Sequence, residues 1–118
     1  MRESKEKTLS FEAYAEAAGH TATYPGRGTG VLTYPVLGLN GEAGEVAEKL
    51  KKIIRDHGGD VSDAQRDALI KELGDVLWYV AACCHELKVP MDEVAQKNLD
   101  KLASRKQRGV ISGSGDER

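Results

Sequence analysis

The sequence has no long apolar run and no large excess of charge of either sign. No stretch approaches the roughly 20 apolar residues of a membrane-spanning helix, and the first residues, MRESKEK, are too charged for a signal peptide. The formal net charge of the 118-residue chain is −2 and its pI is about 5.9, so no global field would attract a nucleic acid polymer or an anionic membrane. These absences predict one soluble, cytoplasmic domain that holds any anionic ligand through a local basic cluster or metal ions.

Cysteine is scarce, and the two cysteines, Cys83 and Cys84, are adjacent. Neighbouring residues of a helix point about 100° apart, so this pair is poorly placed to form a disulfide bond and suits a reducing compartment. Although His85 follows, the sequence CCH lacks the two-residue gap that directs two thiolates toward one zinc ion. We therefore interpret both cysteines as small buried hydrophobic residues.

Proline and glycine divide the chain into four predicted helices, at about 10–18, 33–57, 64–88 and 91–107. Ser10 is the expected N-cap of the first helix, and Ser62 or Asp63 that of the third. No alternating strand pattern occurs, so the predicted fold class is all-α.

The segments between and after these helices are rich in glycine. Residues 19–32 contain Pro25, Gly26, Gly28 and Gly30 and are predicted to form a mobile surface loop. The sequence GRGTG lacks the GK[ST] ending of a P-loop and follows no strand, so a plain surface loop is favoured over a phosphate-binding loop. Residues 110–118 are predicted to be a tail, which leaves residues 1–109 as the domain.

The third predicted helix combines apolar residues with acids. The run from Val76 to Cys84 is apolar without interruption, so this helix is expected to be largely buried. Glu72 and Asp75 precede the run at spacing i, i+3 and share a helical face with Tyr79 and Glu86. Carboxylates that enter a buried helix are costly unless they are paired or bind a metal, and neither acid has a basic residue four positions later. Glu86 lies near the helix end and is expected to face solvent.

The second predicted helix carries a matching pair, Glu42 and Glu45, beside its apolar face. If the two helices pack antiparallel, four carboxylates converge, and all-oxygen ligation of this kind suits Mg²⁺ or Mn²⁺ rather than zinc. The alternative is an ordinary charged face, because Glu45–Lys49 and Glu48–Lys52 are favourable i, i+4 ion pairs. For Glu42 and Glu45 taken alone, that alternative is favoured.

The fourth predicted helix presents a basic stripe. Asn98, Lys101 and Arg105 lie at i, i+3, i+7, with Lys97 one step to the side. Amide, ammonium and guanidinium groups are strong donors to phosphate oxygens, although for this helix alone a solvated basic face is favoured. The helix is expected to pack through Val94, Leu99 and Leu102.

These patterns together resemble the MazG-like, all-α nucleoside triphosphate pyrophosphohydrolase superfamily, which includes the phosphoribosyl-ATP pyrophosphatase and dimeric dUTPase branches. Its hallmark is ExxE, a variable spacer and ExxD, which read here as Glu42-Ala-Gly-Glu45, 26 residues and Glu72-Leu-Gly-Asp75. The wider matches are LGLNGEAGEVAEKLKK at 37–52, KELGDVLWYV at 71–80 and KNLDKLASR at 97–105. The resemblance covers about residues 33–109.

The resemblance implies a catalytic site. Four acids, Glu42, Glu45, Glu72 and Asp75, would bind two or three Mg²⁺ ions, for which Mn²⁺ could substitute. A metal-activated water would attack the α-phosphorus, so that a (deoxy)nucleoside triphosphate yields a monophosphate and pyrophosphate. By position, Glu42 is nominated to orient that water.

The resemblance also implies substrate contacts. Lys101 and Arg105 would act as catalytic residues by holding the β- and γ-phosphates and stabilising the departing pyrophosphate, with Lys97 and Asn98 beside them. Tyr79 sits where relatives place an aromatic side chain in the nucleotide pocket. Trp78 is assigned to the core or a subunit interface in preference to base stacking.

The family resemblance further implies a helical bundle in which dimerisation completes a four-helix core, so a homodimer or homotetramer is expected. A role in nucleotide-pool control or house-cleaning follows, with a purine such as dGTP slightly preferred as substrate. The dUTPase and phosphoribosyl-ATP branches remain open, as does a non-catalytic helical interaction module, which would leave the acids of the third helix unexplained. A di-iron carboxylate bundle is disfavoured because the sequence has no Glu-x-x-His pair.

Overall fold

A computed structural model describes residues 8–118, and the charged segment 1–7 lies outside the described residues. Within that range the chain forms helices and no strand: α1 (Phe11–Gly19), α2 (Thr33–His57), α3 (Asp63–Leu87) and α4 (Met91–Gln107). The all-α prediction is confirmed, and each predicted boundary lies within one residue of the observed one. None of these helices is both long enough and apolar enough to cross a membrane.

Side-chain hydrogen bonds explain where α1 and α3 begin. The Ser10 hydroxyl accepts a hydrogen bond from the Ala13 amide at 3.0 Å, which satisfies a donor that the first helical turn leaves free. Ser62 and Gln65 form a capping box, in which each side chain accepts from the other residue's backbone amide, at 3.2 and 2.9 Å. Ser10 is the predicted cap of α1, and Ser62 is one of the two predicted for α3.

An antiparallel hairpin of α2 and α3 is the frame of the fold. Gly58 follows α2 in the left-handed conformation, with a φ of 62°, which a residue without a Cβ adopts at little cost. The chain then reverses, so that Lys49 lies opposite Glu72 and Gly38 lies against Tyr79. The shorter helices α1 and α4 pack on α3 and on each other.

The buried core is small and lies around the second half of α3. Two clusters form it, one of Ala22, Tyr24 and Ala82 and the other of Ala81, Cys84 and Met91. Cys84 is buried, Cys83 is half-buried, and both thiols are free, in line with their interpretation as small hydrophobic residues. Burial raises the pKa of each thiol above its ordinary value.

Apolar residues of α3 and α4 remain uncovered in the single chain. Ile70 and Leu73 are 48% and 56% exposed, so the predicted burial of α3 holds only for its second half. The predicted packing face of α4 is wrong for the single chain, since Val94, Leu99 and Leu102 are all exposed whereas Arg105 is 5% exposed. The reason is that residues 110–118 fold over Arg105, while none of the described residues covers the apolar side of α4.

Glu86 is buried, and the prediction that it faces solvent is wrong. This residue is 4% exposed. Its carboxylate accepts hydrogen bonds from the Tyr24 hydroxyl, from the Gly28 amide at 2.9 and 3.0 Å, and from the Gly30 amide at 3.0 Å. We refer to these four residues as the Glu86 latch, because they fasten the loop 19–32 to the last turn of α3.

The loop supplies these donors because its glycines turn the backbone inward. Gly28 and Gly30 have φ values of 81° and 79°, in the left-handed region that favours glycine. Nearby amides then point toward one anion, and that anion is the Glu86 carboxylate. Residues 25–31 of the loop are exposed, but Ala22 and Tyr24 are buried in the core, and Glu86 anchors the loop. The prediction of a mobile surface loop over residues 19–32 is therefore wrong for this part of the loop.

The latch shifts the titration of both side chains that take part in it. The hydrogen bond from Tyr24, followed by that from the Gly28 amide, lowers the pKa of Glu86 to about 2, because donors stabilise the charged carboxylate. Burial and the same hydrogen bond raise the pKa of Tyr24 to about 12. The Glu86 carboxylate is therefore charged throughout the neutral and mildly acidic range.

A first prediction concerns the pH dependence of stability. Since the folded-state pKa of Glu86 lies below the ordinary value of about 4.3, its charge stabilises the fold above that pH, and this contribution is lost as the pH falls toward 2. Glu86→Gln should therefore lower the melting temperature at pH 7, and the difference from the wild type should shrink below pH 4. Thermal unfolding followed by circular dichroism measures this.

The other side chains that act on Glu86 are Tyr24 and His85, and neither is substituted in that variant. Glu16→Gln, on the exposed side of α1, is the matched control and should show no such pH-dependent difference. An equal loss of stability at pH 3 and pH 7 would contradict the role assigned to the Glu86 charge.

Candidate functional site

Three carboxylates from the hairpin converge on one point. Glu42 of α2 and Glu72 and Asp75 of α3 each place an oxygen so that all three oxygens lie within 4.8 Å of one another. Glu42 and Glu72 are half-buried and Asp75 is exposed. Because α2 and α3 pack antiparallel, Glu72 and Asp75 of α3 lie beside Glu42 in the first half of α2.

Glu45, the fourth predicted ligand, is exposed and stands outside the acid group. It is nevertheless close enough for its charge to act on Glu42. Partial burial, followed by the charges of Asp75, Glu72 and Glu45, raises the pKa of Glu42 above its ordinary value, because each disfavours another negative charge. The site thus carries an uncompensated negative charge that a cation would relieve.

Lys49 provides part of the compensation. Its ammonium lies 3.5 Å from a Glu72 carboxylate oxygen, and the Glu72 side chain is 17% exposed. The predicted i, i+4 pair between Glu48 and Lys52 is present at 3.6 Å, whereas Lys49 reaches across the hairpin to Glu72. The ordinary charged face predicted as an alternative therefore accounts for Glu48 but not for Glu42.

Tyr79 packs on α2 next to the acid group. A Cβ added to Gly38 would lie 2.1 Å from Cε1 of the Tyr79 ring, so this position accommodates the ring only as glycine. Burial, followed by the neighbouring Tyr34, Glu42 and Asp75, raises the pKa of Tyr79. The predicted substrate-binding tyrosine therefore lies beside the carboxylates and is held by close packing.

Trp78 points to the loop instead. Its indole N–H donates to the Thr21 hydroxyl at 3.0 Å, and its ring makes an edge contact with Tyr24 at 6.3 Å between centroids. It packs against the core cluster of Ala22, Tyr24 and Ala82. This arrangement favours the core assignment over base stacking.

A separate cavity of about 300 Å³ lies between α1, the loop and the second half of α3. Trp78, Ala82, His85 and Met91 are among the residues that line it, and the acid group takes no part. The cavity and the carboxylates are therefore distinct features of the surface.

The basic stripe of α4 is not brought to the acid group within one chain. The backbones of α4 and α2 do not come within contact distance across residues 8–118, since α4 packs only on α1 and α3. Lys97 and Asn98 are exposed. The stripe and the acids are thus separate in the single chain.

The tail occupies the basic stripe. The Arg105 guanidinium donates to the Asp116 backbone carbonyl at 2.8 Å and to its carboxylate at 3.5 Å, and the Lys101 ammonium lies 3.8 Å from the same carboxylate. Arg105 Nε is buried without an acceptor among the described residues. The stripe therefore binds a carboxylate here, and one of its donors is left without an acceptor.

The residues of the acid group fit a hard divalent cation. All its donors are carboxylate oxygens, which suit Mg²⁺ or Mn²⁺, and partial burial, followed by the charges of Asp75, Glu72 and Glu45, raises the pKa of Glu42. Thiolate or imidazole ligands, which zinc prefers, are absent from the group. The chemistry of the donors is thus that of the metal predicted from the sequence.

The fold and the site first define a class: an all-α protein with a carboxylate group held between two antiparallel helices. Comparison with known families identifies the family within this class, because residues 34–110 match the MazG nucleotide pyrophosphohydrolase domain. The chain belongs to this family, as the resemblance over residues 33–109 predicted. Nucleotide pyrophosphohydrolase activity is the activity to which the family points.

A phage protein is also similar. The chain is 52% identical over 114 residues to the Gene 37 protein of Mycobacterium phage L5, in an alignment that covers 93% of this chain and 100% of that protein. That name specifies no activity. No solved structure is significantly similar to the chain.

The sequence analysis identifies neither Lys49 as a neighbour of the acid group nor the Glu86 latch. The alternating glycines of Gly26-Arg-Gly-Thr-Gly30 were a usable signal, since such spacing allows several amides to point at one anion. In the structure, the anion at these amides is the Glu86 carboxylate of the chain itself rather than an external phosphate. Lys49 had no usable signal, because its partner is across the hairpin rather than one turn away.

A second prediction concerns the acid group. Glu42→Gln, Glu72→Gln and Asp75→Asn should leave the metal-free helical fold intact, because each removes charge from a repulsive cluster. Glu42→Gln should be the most stabilising, since Glu72→Gln also loses the Lys49 pair. In the wild type, Mg²⁺ or Mn²⁺ at a hundredfold excess over its Kd should add about 2.7 kcal/mol to the free energy of unfolding, and each variant should lose most of that gain.

Thermal unfolding with and without the ions measures this effect. Glu48→Gln is the matched control, because Glu48 lies on α2 but pairs with Lys51 and Lys52, and it should keep the full response to metal. A wild type that is indifferent to both ions would refute the metal assignment and favour a helical interaction module.

Proposed function

We propose that this chain is a metal-dependent nucleoside triphosphate pyrophosphohydrolase, which converts a (d)NTP and water into a (d)NMP and pyrophosphate in nucleotide-pool control or house-cleaning. The observation that carries the proposal is the acid group, in which Glu42, Glu72 and Asp75 meet within 4.8 Å in a chain of the MazG family. A purine nucleotide such as dGTP is the substrate to test first, within a panel of nucleotides in which released pyrophosphate is detected.

The acid group and Glu45 would hold two or three Mg²⁺ ions, with Mn²⁺ able to substitute. When bound, such ions neutralise charge on the phosphate oxygens and lower the pKa of the attacking water. Glu42 would orient that water and accept its proton as the general base. Once a cation compensates Glu72, Lys49 would be free to contact a phosphate oxygen.

The substrate's own charge calls for further cations. A triphosphate brings about four negative charges to a site rich in carboxylates, so ions at the α-phosphate alone leave the assembly anionic. Lys97, Lys101 and Arg105 form the basic stripe that would take the β- and γ-phosphates, with Asn98 as an added donor. Asp116 would leave Arg105 as phosphate oxygens take the place of its carboxylate.

A second copy of the chain would bring the stripe and the acids together. The radius of gyration is 17.8 Å, compared with about 13 Å expected for a compact domain of this length. Large apolar side chains on three helices stay exposed: Leu37, Leu50, Ile54, Ile70, Leu73, Leu99 and Leu102. An exposed apolar surface of this extent is typical of an obligate interface, so we expect a homodimer or homotetramer with a shared helical core.

A third prediction concerns the bond that is cut. In ¹⁸O-labelled water, the label should appear in the monophosphate, because water attacks the α-phosphorus. Glu72→Gln and Asp75→Asn should each retain less than about a tenth of wild-type activity. This corresponds to an increase of at least about 1.4 kcal/mol in the activation free energy. Mass spectrometry of the products decides: label in pyrophosphate, or release of orthophosphate with a diphosphate product, would overturn the proposed reaction.

A fourth prediction concerns the basic stripe. Lys101→Ala and Arg105→Ala should each lower kcat/KM by roughly ten- to a thousand-fold, as expected for lost charge stabilisation in the transition state. Metal-dependent stabilisation without nucleotide should be unchanged, because the stripe is separate from the acids. Lys106→Ala, an exposed residue of the same helix, is the matched control and should behave as the wild type.

Mixing two inactive variants tests whether the site is shared. If one chain supplies the acids and another the stripe, refolding Asp75→Asn together with Lys101→Ala should recover about a quarter of wild-type activity, since half the dimers are mixed and one of their two symmetric sites is intact. No recovery in a dimer would place the acids and the stripe of each site on one chain. A light-scattering mass equal to a single 12.8 kDa chain would contradict the oligomer itself.

A further inference from the structure

Four aromatic rings form a continuous series from the loop to the hairpin. Tyr24 and Tyr34 are stacked, with centroids 5.6 Å apart and an interplanar angle of 4°. Trp78 makes edge contacts with Tyr24 and with Tyr79, at 6.3 and 4.9 Å. Tyr24 is buried at 8% exposure, whereas Tyr34 is 44% exposed. One face of the Tyr34 ring is thus covered by Tyr24, while much of the residue is open to solvent.

The exposed Tyr34 ring lies on the same side of α2 as Glu42 of the acid group. Tyr34, Gly38 and Glu42 follow one another at four-residue intervals on α2, so they lie along one side of the helix. The backbone rise puts Tyr34 about 12 Å from Glu42 along the helix axis. Between them the Tyr79 ring covers Gly38. The Tyr79 ring thus lies between Glu42 and the exposed Tyr34 ring along this side of α2.

The Glu86 latch holds the inner ring of this stack. The Tyr24 hydroxyl donates to the Glu86 carboxylate, which the Gly28 and Gly30 amides also contact. With its hydroxyl fixed at one end and its ring packed between Tyr34 and Trp78, Tyr24 has little freedom to rotate. Glu86 is 44 residues along the chain from Glu42, yet through Tyr24 it supports the inner side of the exposed Tyr34 ring.

We propose that Tyr34 is the surface on which the nucleobase of the substrate stacks, and that Glu86 is the positioning residue that holds this surface through Tyr24. The inference rests on the proposed function, since it takes the phosphates to lie at the acid group. A base extended from there along α2 passes Tyr79 and meets the open part of Tyr34. Because every base has a π face, stacking on Tyr34 confers affinity for a nucleoside without strong selection among bases.

The test separates the base from the phosphates by using two inhibitors. Tyr34→Leu should raise KM for dGTP about tenfold and weaken inhibition by dGMP by a similar factor, as expected for the loss of one stacking contact, with kcat within about twofold. Inhibition by inorganic tripolyphosphate, which has no base, should be unchanged. Tyr34→Phe should restore KM, because it keeps the ring, and Val36→Ala, on another side of the same turn, is the control.

The latch is tested with the single tryptophan as reporter. Glu86→Gln and Tyr24→Phe should each shift Trp78 emission to longer wavelength as the loop loosens, and each should raise KM for dGTP several-fold with little change in tripolyphosphate inhibition. A merely structural role would alter the emission but would affect dGMP and tripolyphosphate alike, and that result would overturn the positioning role.

Two outcomes would overturn the assignment of Tyr34. One is a Tyr34→Leu variant with unchanged KM and dGMP inhibition. The other is a Tyr34→Leu variant whose oligomer mass falls while tripolyphosphate inhibition weakens in parallel, because the ring would then be covered by a second copy of the chain. If the wild type hydrolyses no triphosphate, the proposed function fails by itself, and calorimetric binding of dGMP to wild type and Tyr34→Leu still decides the stacking.

Discussion

The close packing of α2 on α3 is the constraint from which the site follows. Opposite Gly38, the Tyr79 ring occupies the space that a side chain at residue 38 would need. This packing brings Glu42 close to Glu72 and Asp75. Partial burial, followed by the neighbouring negative charges, raises the pKa of Glu42. The hairpin therefore holds three carboxylates close together, with the Lys49 ammonium as a neighbouring cation.

Local rules explain how much of this could be read from the sequence. Serine caps, glycine stops and apolar periodicity all act within a few residues, so the four helices were predicted to within one residue at each end. The acid pairs at Glu42 and at Glu72 were also readable, since their spacing is fixed by the helix. Glu86 was not, because its partners are loop amides 56 and 58 residues away that left-handed glycines turn inward.

The remaining errors share a physical cause, which is that a single chain does not cover its own apolar surface. Periodicity identified Leu99 and Leu102 as residues of an apolar face, but it cannot tell whether that face packs within the chain. Both are exposed here, and Arg105 is buried by Asp116 instead. In the single chain, these apolar faces are exposed, and the basic stripe is separate from the acid group.

One face of α3 carries carboxylates in two different environments, one beside other carboxylates and one surrounded by hydrogen-bond donors. At its first half, Glu72 and Asp75 share the acid group with Glu42, with Lys49 as the cation that contacts it. At its last turn, Glu86 is saturated by donors from the loop, and its pKa falls to about 2. Glu86 is therefore a carboxylate that is satisfied by donors of the chain itself, whereas the acid group has the composition of a candidate cation site. Burial alone does not distinguish the two roles; the supply of donors does.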